Sequence, residues 1–137
     1  MRGGALALLL ALPAAAGAAQ PAALEALQEY LEFATYSDGA ISPGQLASVD
    51  AAAVHFVDTR NAAQYAAGHI PGAVNIDWRE ILTRRDEIPA GRPVVLYCDT
   101  GLLSSRALMA LRVAGRDDVK VLLGGYAAWL EHRDGAR

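Results

Sequence analysis

The sequence predicts an α/β fold, a parallel β-sheet covered by helices on both faces, and three observations carry that expectation. Short apolar or β-branched runs alternate with segments of helical spacing along the chain, the order that crossover connections produce. Glycines, prolines and capping residues fall between those segments, where strands and helices change over. Asp58, Cys98 and Gly124 each follow an apolar run, at strand C-terminal ends, where sheets of this kind bind ligands. At 137 residues, 53% hydrophobic and 20% charged, the chain holds one domain with a real core.

Taken in order, residues 1–19 read as an export signal. Met1-Arg2 precedes the unbroken Ala/Leu stretch Ala5 to Leu12, and Pro13 precedes a tail of small residues with cleavage expected after Ala18 or Ala19. The apolar run is short and interrupted by Pro13 and Gly17, so no transmembrane anchor is expected after cleavage. The expected location is outside the cytoplasm, in the periplasm. Residues 20–39 form an N-terminal extension. Pro21 opens a helix from Ala22 to Tyr36 with Leu24, Leu27, Leu31 and Ala34 at helical spacing, an amphipathic stripe expected to pack on the main domain.

The main domain is expected over residues 40–132, with 133–137 as a tail. Ser42-Pro43 starts a short helix that ends near Ser48. Val54 to Asp58 reads as a strand, and Asn61 caps a helix through Ala67 with Gly68 as its left-handed stop. Ala73 to Ile76 is a second strand, and Trp78 to Glu87 holds one or two loose helical turns. A third strand ends at Cys98, and a helix runs from Ser104 to Ala114, stopped by Gly115. Val119 to Leu122 is the last strand, turned by Gly124-Gly125 into a helix from Tyr126 to about Glu131.

Cys98 is the single cysteine of the chain, so it makes no internal disulfide. It stands where a strand enters a short turn containing Gly101, followed by a helix start. Such a turn aims backbone N–H groups at one point, with the positive end of a helix behind them. An ordinary cysteine, with pKa about 8.5, is about 3% thiolate at pH 7, and a depression of two units makes it roughly 75%. The competing reading is that Cys98 is a small buried hydrophobe. A net charge of −3, without basic blocks, argues against nucleic acid as partner. His55, His69 and His132 lack metal-ligand spacing, and no metal or other cofactor is expected.

Four motifs carry a family resemblance. Phe56-Val57-Asp58-Thr59-Arg60 and Gly68-His69-Ile70-Pro71-Gly72-Ala73 resemble the two opening signatures of rhodanese domains. Leu96-Tyr97-Cys98-Asp99-Thr100-Gly101 is similar to the active-site loop, and Leu122-Leu123-Gly124-Gly125-Tyr126-Ala127-Ala128-Trp129 to the closing motif. The match spans roughly residues 40–131, in order. It implies a rhodanese-like sandwich whose five-stranded, mostly parallel sheet has helices on both faces. It also implies sulfurtransferase activity: Cys98 takes sulfane sulfur from a thiosulfate-like or organic persulfide donor and passes it to a thiol or cyanide. Asp99, Thr100, Gly101, Leu102, Leu103 and Ser104 then form the persulfide-binding loop, whose amides surround the outer sulfur. Asp58, Arg60, His69, Arg106, Gly124 and Gly125 are expected as supports, with Arg60 pairing a carboxylate, His69 structural and the glycines letting backbone approach the loop. Trp129 is expected in the core.

The loop departs from members that use thiosulfate well, which often carry basic residues there. Residues 99–104 contain no Lys or Arg, and Leu103 stands where the family frequently has arginine. An Asp99 carboxylate about 7 Å from the sulfur would oppose its charge by roughly 2 kcal/mol at an effective dielectric of about 20. A less acidic thiol and weak dianion binding are therefore expected, with an apolar mouth suited to an organic persulfide or a protein partner. Phosphatase chemistry needs Cys-x5-Arg, and the sixth residue after Cys98 is Ser104. The alternative function is a non-catalytic rhodanese-like module that binds or delivers sulfur within an exported complex.

Overall fold

The structure, a computed structural model, describes residues 19–136. Residues 1–18 of the expected export signal lie outside the described residues. The described residues fall into two units, 19–33 and 34–136. In the first, helix α1 spans Ala19–Phe33, starting and ending about three residues before the expected limits. Pro21 falls in its first turn, where a missing N–H is tolerated. After it the Asp38 amide donates to the Thr35 carbonyl at 3.1 Å, a turn in place of the expected last helical residues.

The second unit is an α/β domain. Its sheet comprises β1 (Ala40–Ile41), β2 (His55–Asp58), β3 (Val74–Asn75), β4 (Val94–Tyr97) and β5 (Val119–Leu122), all parallel in the order β1-β5-β4-β2-β3. Residue-level reading reaches four of these strands. The fifth, β1, is two residues on the edge of β5, made a strand by the Val121 amide to Gly39 O (2.6 Å) and the Leu123 amide to Ile41 O (2.9 Å).

Helices α2 (Pro43–Ala47), α3 (Ala62–Ala67), α4 (Leu102–Val113) and α5 (Gly125–Gly135) connect and follow the strands. Ser42 caps α2 in a reciprocal box with Gln45, and the Asn61 side chain caps α3 through the Gln64 amide. Single 3-10 turns occupy Ala51–Ala53, Trp78–Glu80 and Arg85–Glu87.

Two apolar layers sandwich the sheet. Val94 and Leu96 face α4 with Val57, Ala107, Leu108, Leu111, Val119 and Val121. Val95 and Tyr97 face the other side with Leu46, Phe56, Ile70 and Leu122, where Trp129 packs partly buried. Central β4 is therefore buried on both faces, as its continuous apolar run requires. Truncating a side chain such as Leu96 to alanine would cost about 2–5 kcal/mol.

Three expected boundaries are corrected. Gly68 is not left-handed: its φ of 163° is extended backbone, and its amide still closes α3 onto Gln64 O and Tyr65 O. Helix α4 begins at Leu102 rather than Ser104, because left-handed Gly101 starts it without a side-chain cap. Helix α5 continues past Glu131 to Gly135, with the Arg133 guanidinium 5.1 Å from the Trp129 ring.

Candidate active site

Cys98 follows the last residue of β4 at the middle of the sheet, and the carbonyls of Tyr97, Cys98 and Asp99 are engaged. Tyr97 O accepts from the Thr59 amide (2.8 Å) and hydroxyl (2.9 Å). Cys98 O accepts from the Tyr126 amide at 2.8 Å, and Asp99 O from the Ala127 amide at 3.1 Å. Those two donors are first-turn amides of α5, whose N-cap, Gly124, offers no side chain, so the loop itself caps the helix. Gly125 permits the approach: a Cβ there would strike the Cys98 carbonyl oxygen and lie 2.6 Å from Asp99 backbone atoms.

With the carbonyls held by α5, the loop amides turn to the sulfur. The Gly101 amide donates to Cys98 Sγ at 3.2 Å, and the Ser104 hydroxyl has two acceptors within reach of its single proton, Cys98 Sγ at 3.5 Å and Gly101 O at 3.1 Å. Gly101 makes the bend at φ 107°. Burial pushes the Cys98 thiol up. The Ser104 hydroxyl and the amides of Ser104, Thr100 and Gly101 pull it down, and the net shift is downward. The residue itself is 2% exposed. Ser104, fully buried in the first turn of α4, thus stands between the sulfur and the carbonyl of the residue that starts the helix.

A second cluster supports the loop from the end of β2. Buried Asp58 accepts from Arg60 Nε (3.0 Å), Nη2 (2.6 Å) and backbone amide (3.0 Å). Arg60 Nη2 also reaches Gly68 O at 2.7 Å, and its guanidinium lies 4.6 Å from the Tyr126 ring centre. Hydrogen bonding to Asp58 holds the Arg60 guanidinium protonated more firmly than usual, against the cost of burial. Asn75 ties the corner by donating to Asp58 O and Arg60 O.

Asp99 is not the bare charge that the sequence suggests. Its carboxylate takes Arg60 Nη1 at 3.1 Å and Gln64 Nε2 at 2.7 Å, so the opposition to the sulfur is partly neutralised and directed towards α3. Gln64 escapes sequence reading because its partner is 35 positions away and no local pattern joins them.

The remaining candidates sit elsewhere. His69 shares a hydrogen bond of 2.8 Å between Nδ1 and Tyr65 O and stacks on the Tyr65 ring at 3.8 Å. Arg106 lies over the Trp78 ring at 5.4 Å and is not among the sulfur's hydrogen-bond partners. Thr100 and Leu102 are exposed and Leu103 is half-buried, with exposed Leu123 at the end of β5. Among the described residues, no group of His, Cys, Asp and Glu is placed to hold a metal ion.

A lone cysteine at the end of the central strand, beneath amides that a following helix has turned towards it, defines a cysteine-loop α/β domain. The Rhodanese-like domain family matches residues 43–132, and the chain belongs to that family. Thiosulfate sulfurtransferase GlpE of Shewanella oneidensis is 35% identical over 92 residues, covering 66% of this chain and 91% of that one. The uncharacterized protein YqhL of Bacillus subtilis is 37% identical over 73 residues, and the match spans 53% of this chain but 58% of that relative's length. Human single domain sulfurtransferase TSTD1 superposes with a TM-score of 0.57 at 27% identity, over 68% of this chain and 96% of that structure. Sulfur transfer is thus the chemistry named among the relatives.

Proposed function

We propose that this protein is a sulfurtransferase that carries sulfane sulfur as a Cys98 persulfide, with an organic persulfide as the preferred donor. The observation that carries the reading is the convergence of the Gly101 amide and Ser104 hydroxyl on Sγ, with the thiol shifted down despite burial. In the first step the Cys98 thiolate attacks the outer sulfur of R–S–S⁻. The new Cys98 S–S bond forms as the donor S–S bond breaks, and R–S⁻ departs with that bond's electron pair. In the second, an acceptor thiolate or cyanide attacks the outer sulfur of Cys98–S–S⁻, leaving as a persulfide or thiocyanate and returning the Cys98 thiolate. Neither step needs a general acid or base, only donors that tolerate charge on sulfur.

The preference for an organic donor is supported by exposed Leu102, half-buried Leu103 and the lack of Lys or Arg over residues 99–104. GlpE, by its name, uses thiosulfate. The 2% exposure of Cys98 favours a second reading, a non-catalytic module that binds a sulfur carrier. We also propose export to the periplasm, supported by the Ala/Leu stretch and small-residue tail of residues 1–19; cell fractionation and N-terminal sequencing test it.

Incubation with glutathione persulfide, 3-mercaptopyruvate or thiosulfate, followed by intact mass and cyanide-dependent thiocyanate release, separates the two functions. A single added sulfur, lost to cyanide, supports transfer. No adduct with any donor leaves the binding module. Leu103→Arg should raise thiosulfate turnover, and unchanged turnover would refute the account of the loop's charge.

A further inference from the structure

Gln64 touches no sulfur, yet it completes the hold on the one charged side chain of the loop. The two oxygens of the Asp99 carboxylate are shared between Arg60 and Gln64. Both partners come from the β2–α3 side, whereas Gly101 and Ser104 meet the sulfur from the start of α4. The carboxylate and the sulfur, on adjacent residues, are thus held in different directions. Burial does not hold the carboxylate, since the side chain is 54% exposed. Arg60 has little to spare for it, because Nε and Nη2 already serve Asp58 and Gly68 O, leaving Nη1.

We infer that Gln64 is a positioning residue for the Cys98 sulfur: with Arg60 it keeps the Asp99 carboxylate on the α3 side, so that a negative sulfur meets amides and a hydroxyl rather than a neighbouring anion. The inference rests on the reading of Cys98 as a sulfur carrier and names what makes the charge tolerable beside an aspartate. A carboxamide suits the position because it donates without adding charge, whereas a carboxylate there would repel Asp99. The groups that surround the pair are Asp58 and Arg60 from β2 and the turn after it, Gln64 from α3, Ser104 from α4 and Tyr126 from α5. Arg60 is the cation among them.

Thiolate ultraviolet absorbance against pH, measured on the full chain and corrected with the Cys98→Ser counterpart of each variant, tests this. A single cysteine makes the signal assignable. Gln64→Leu should raise the thiol midpoint by about half a pH unit by freeing the anion. Asp99→Asn in the same chain should abolish that rise, since a structural fault caused by Gln64→Leu would persist in the double variant. Gln64→Glu should raise the midpoint too, and Q64E/D99N, with donor and acceptor exchanged, should bring it back. A wild-type midpoint in Gln64→Leu, or a rise that survives in Q64L/D99N, overturns the inference. The titration needs no sulfur donor, so it reports on Gln64 whether or not Cys98 ever takes up sulfur.

Discussion

Gly125→Ala measures how far α5 sets the geometry of the cysteine loop. The added Cβ would meet the Cys98 carbonyl and the Asp99 backbone, neither of which is a side chain able to swing aside. The backbone there is also left-handed, at φ 61°, which costs a non-glycine residue about 1–2 kcal/mol. Crowding in a packed site adds about 1–3 kcal/mol. If the loop lifts instead, the hydrogen bonds from Tyr126 and Ala127 go, at about 1 kcal/mol each. A loss of about 2–5 kcal/mol is expected, a large share of the 5–15 kcal/mol typical of a domain.

Gly72→Ala is the matched control. Its φ is 82°, but nothing lies within 4 Å of its added Cβ, so it bears the conformational cost alone. Urea denaturation of both variants, with thiol titration of each, separates the effects. Gly125→Ala should lose about 2 kcal/mol more than Gly72→Ala and should raise the Cys98 midpoint as the loop amides lose their aim. Equal losses, or a destabilised Gly125→Ala protein with an unchanged thiol, would refute the claim that α5 sets the loop.

Two further outcomes follow from buried charge. Arg60→Met strands Asp58, which is 0% exposed, and should cost about 3–5 kcal/mol in denaturation, with part recovered in D58N/R60M; a loss below about 1 kcal/mol would mean that the pair does not hold the corner. His55 lies below its ordinary pKa of 6.5 through burial and then Arg92, and its Nε2 is buried without a hydrogen-bond partner among the described residues. The unfolded chain therefore binds the proton more readily, so the His55 contribution is present above about pH 6.5 and is lost as the pH falls below it. His55→Gln should flatten that acid-side decline in Tm between about pH 7 and 5, and an equally steep decline would exclude His55 as its source.

The fold is legible where the demand is local. The Val94-to-Tyr97 run marks a strand buried on both faces, and Ser42-Pro43 and Asn61 mark helix starts whose caps are built from neighbouring residues. Strand β1 is not legible in this way: two residues carry no periodicity, and only their bonds to β5, some eighty positions away, make them a strand. The site divides in the same manner. Cys98 and the glycine turn are visible as a pattern, whereas the meaning of the Asp99 charge depends on Arg60 and Gln64, 39 and 35 positions earlier in the chain. The start of α4 is misread because a serine near a helix start signals a cap, while Ser104 turns its hydroxyl back towards Gly101 O and the sulfur.

The capping of α5 by the Cys98 and Asp99 carbonyls imposes an order on biogenesis. During synthesis the thiol emerges well before residues 125–135, so a nascent or C-terminally clipped chain exposes an ordinary cysteine without its special setting. The setting of the sulfur is complete only once residues 125–135 have been made, and a cut that removes them would undo that setting without touching Cys98.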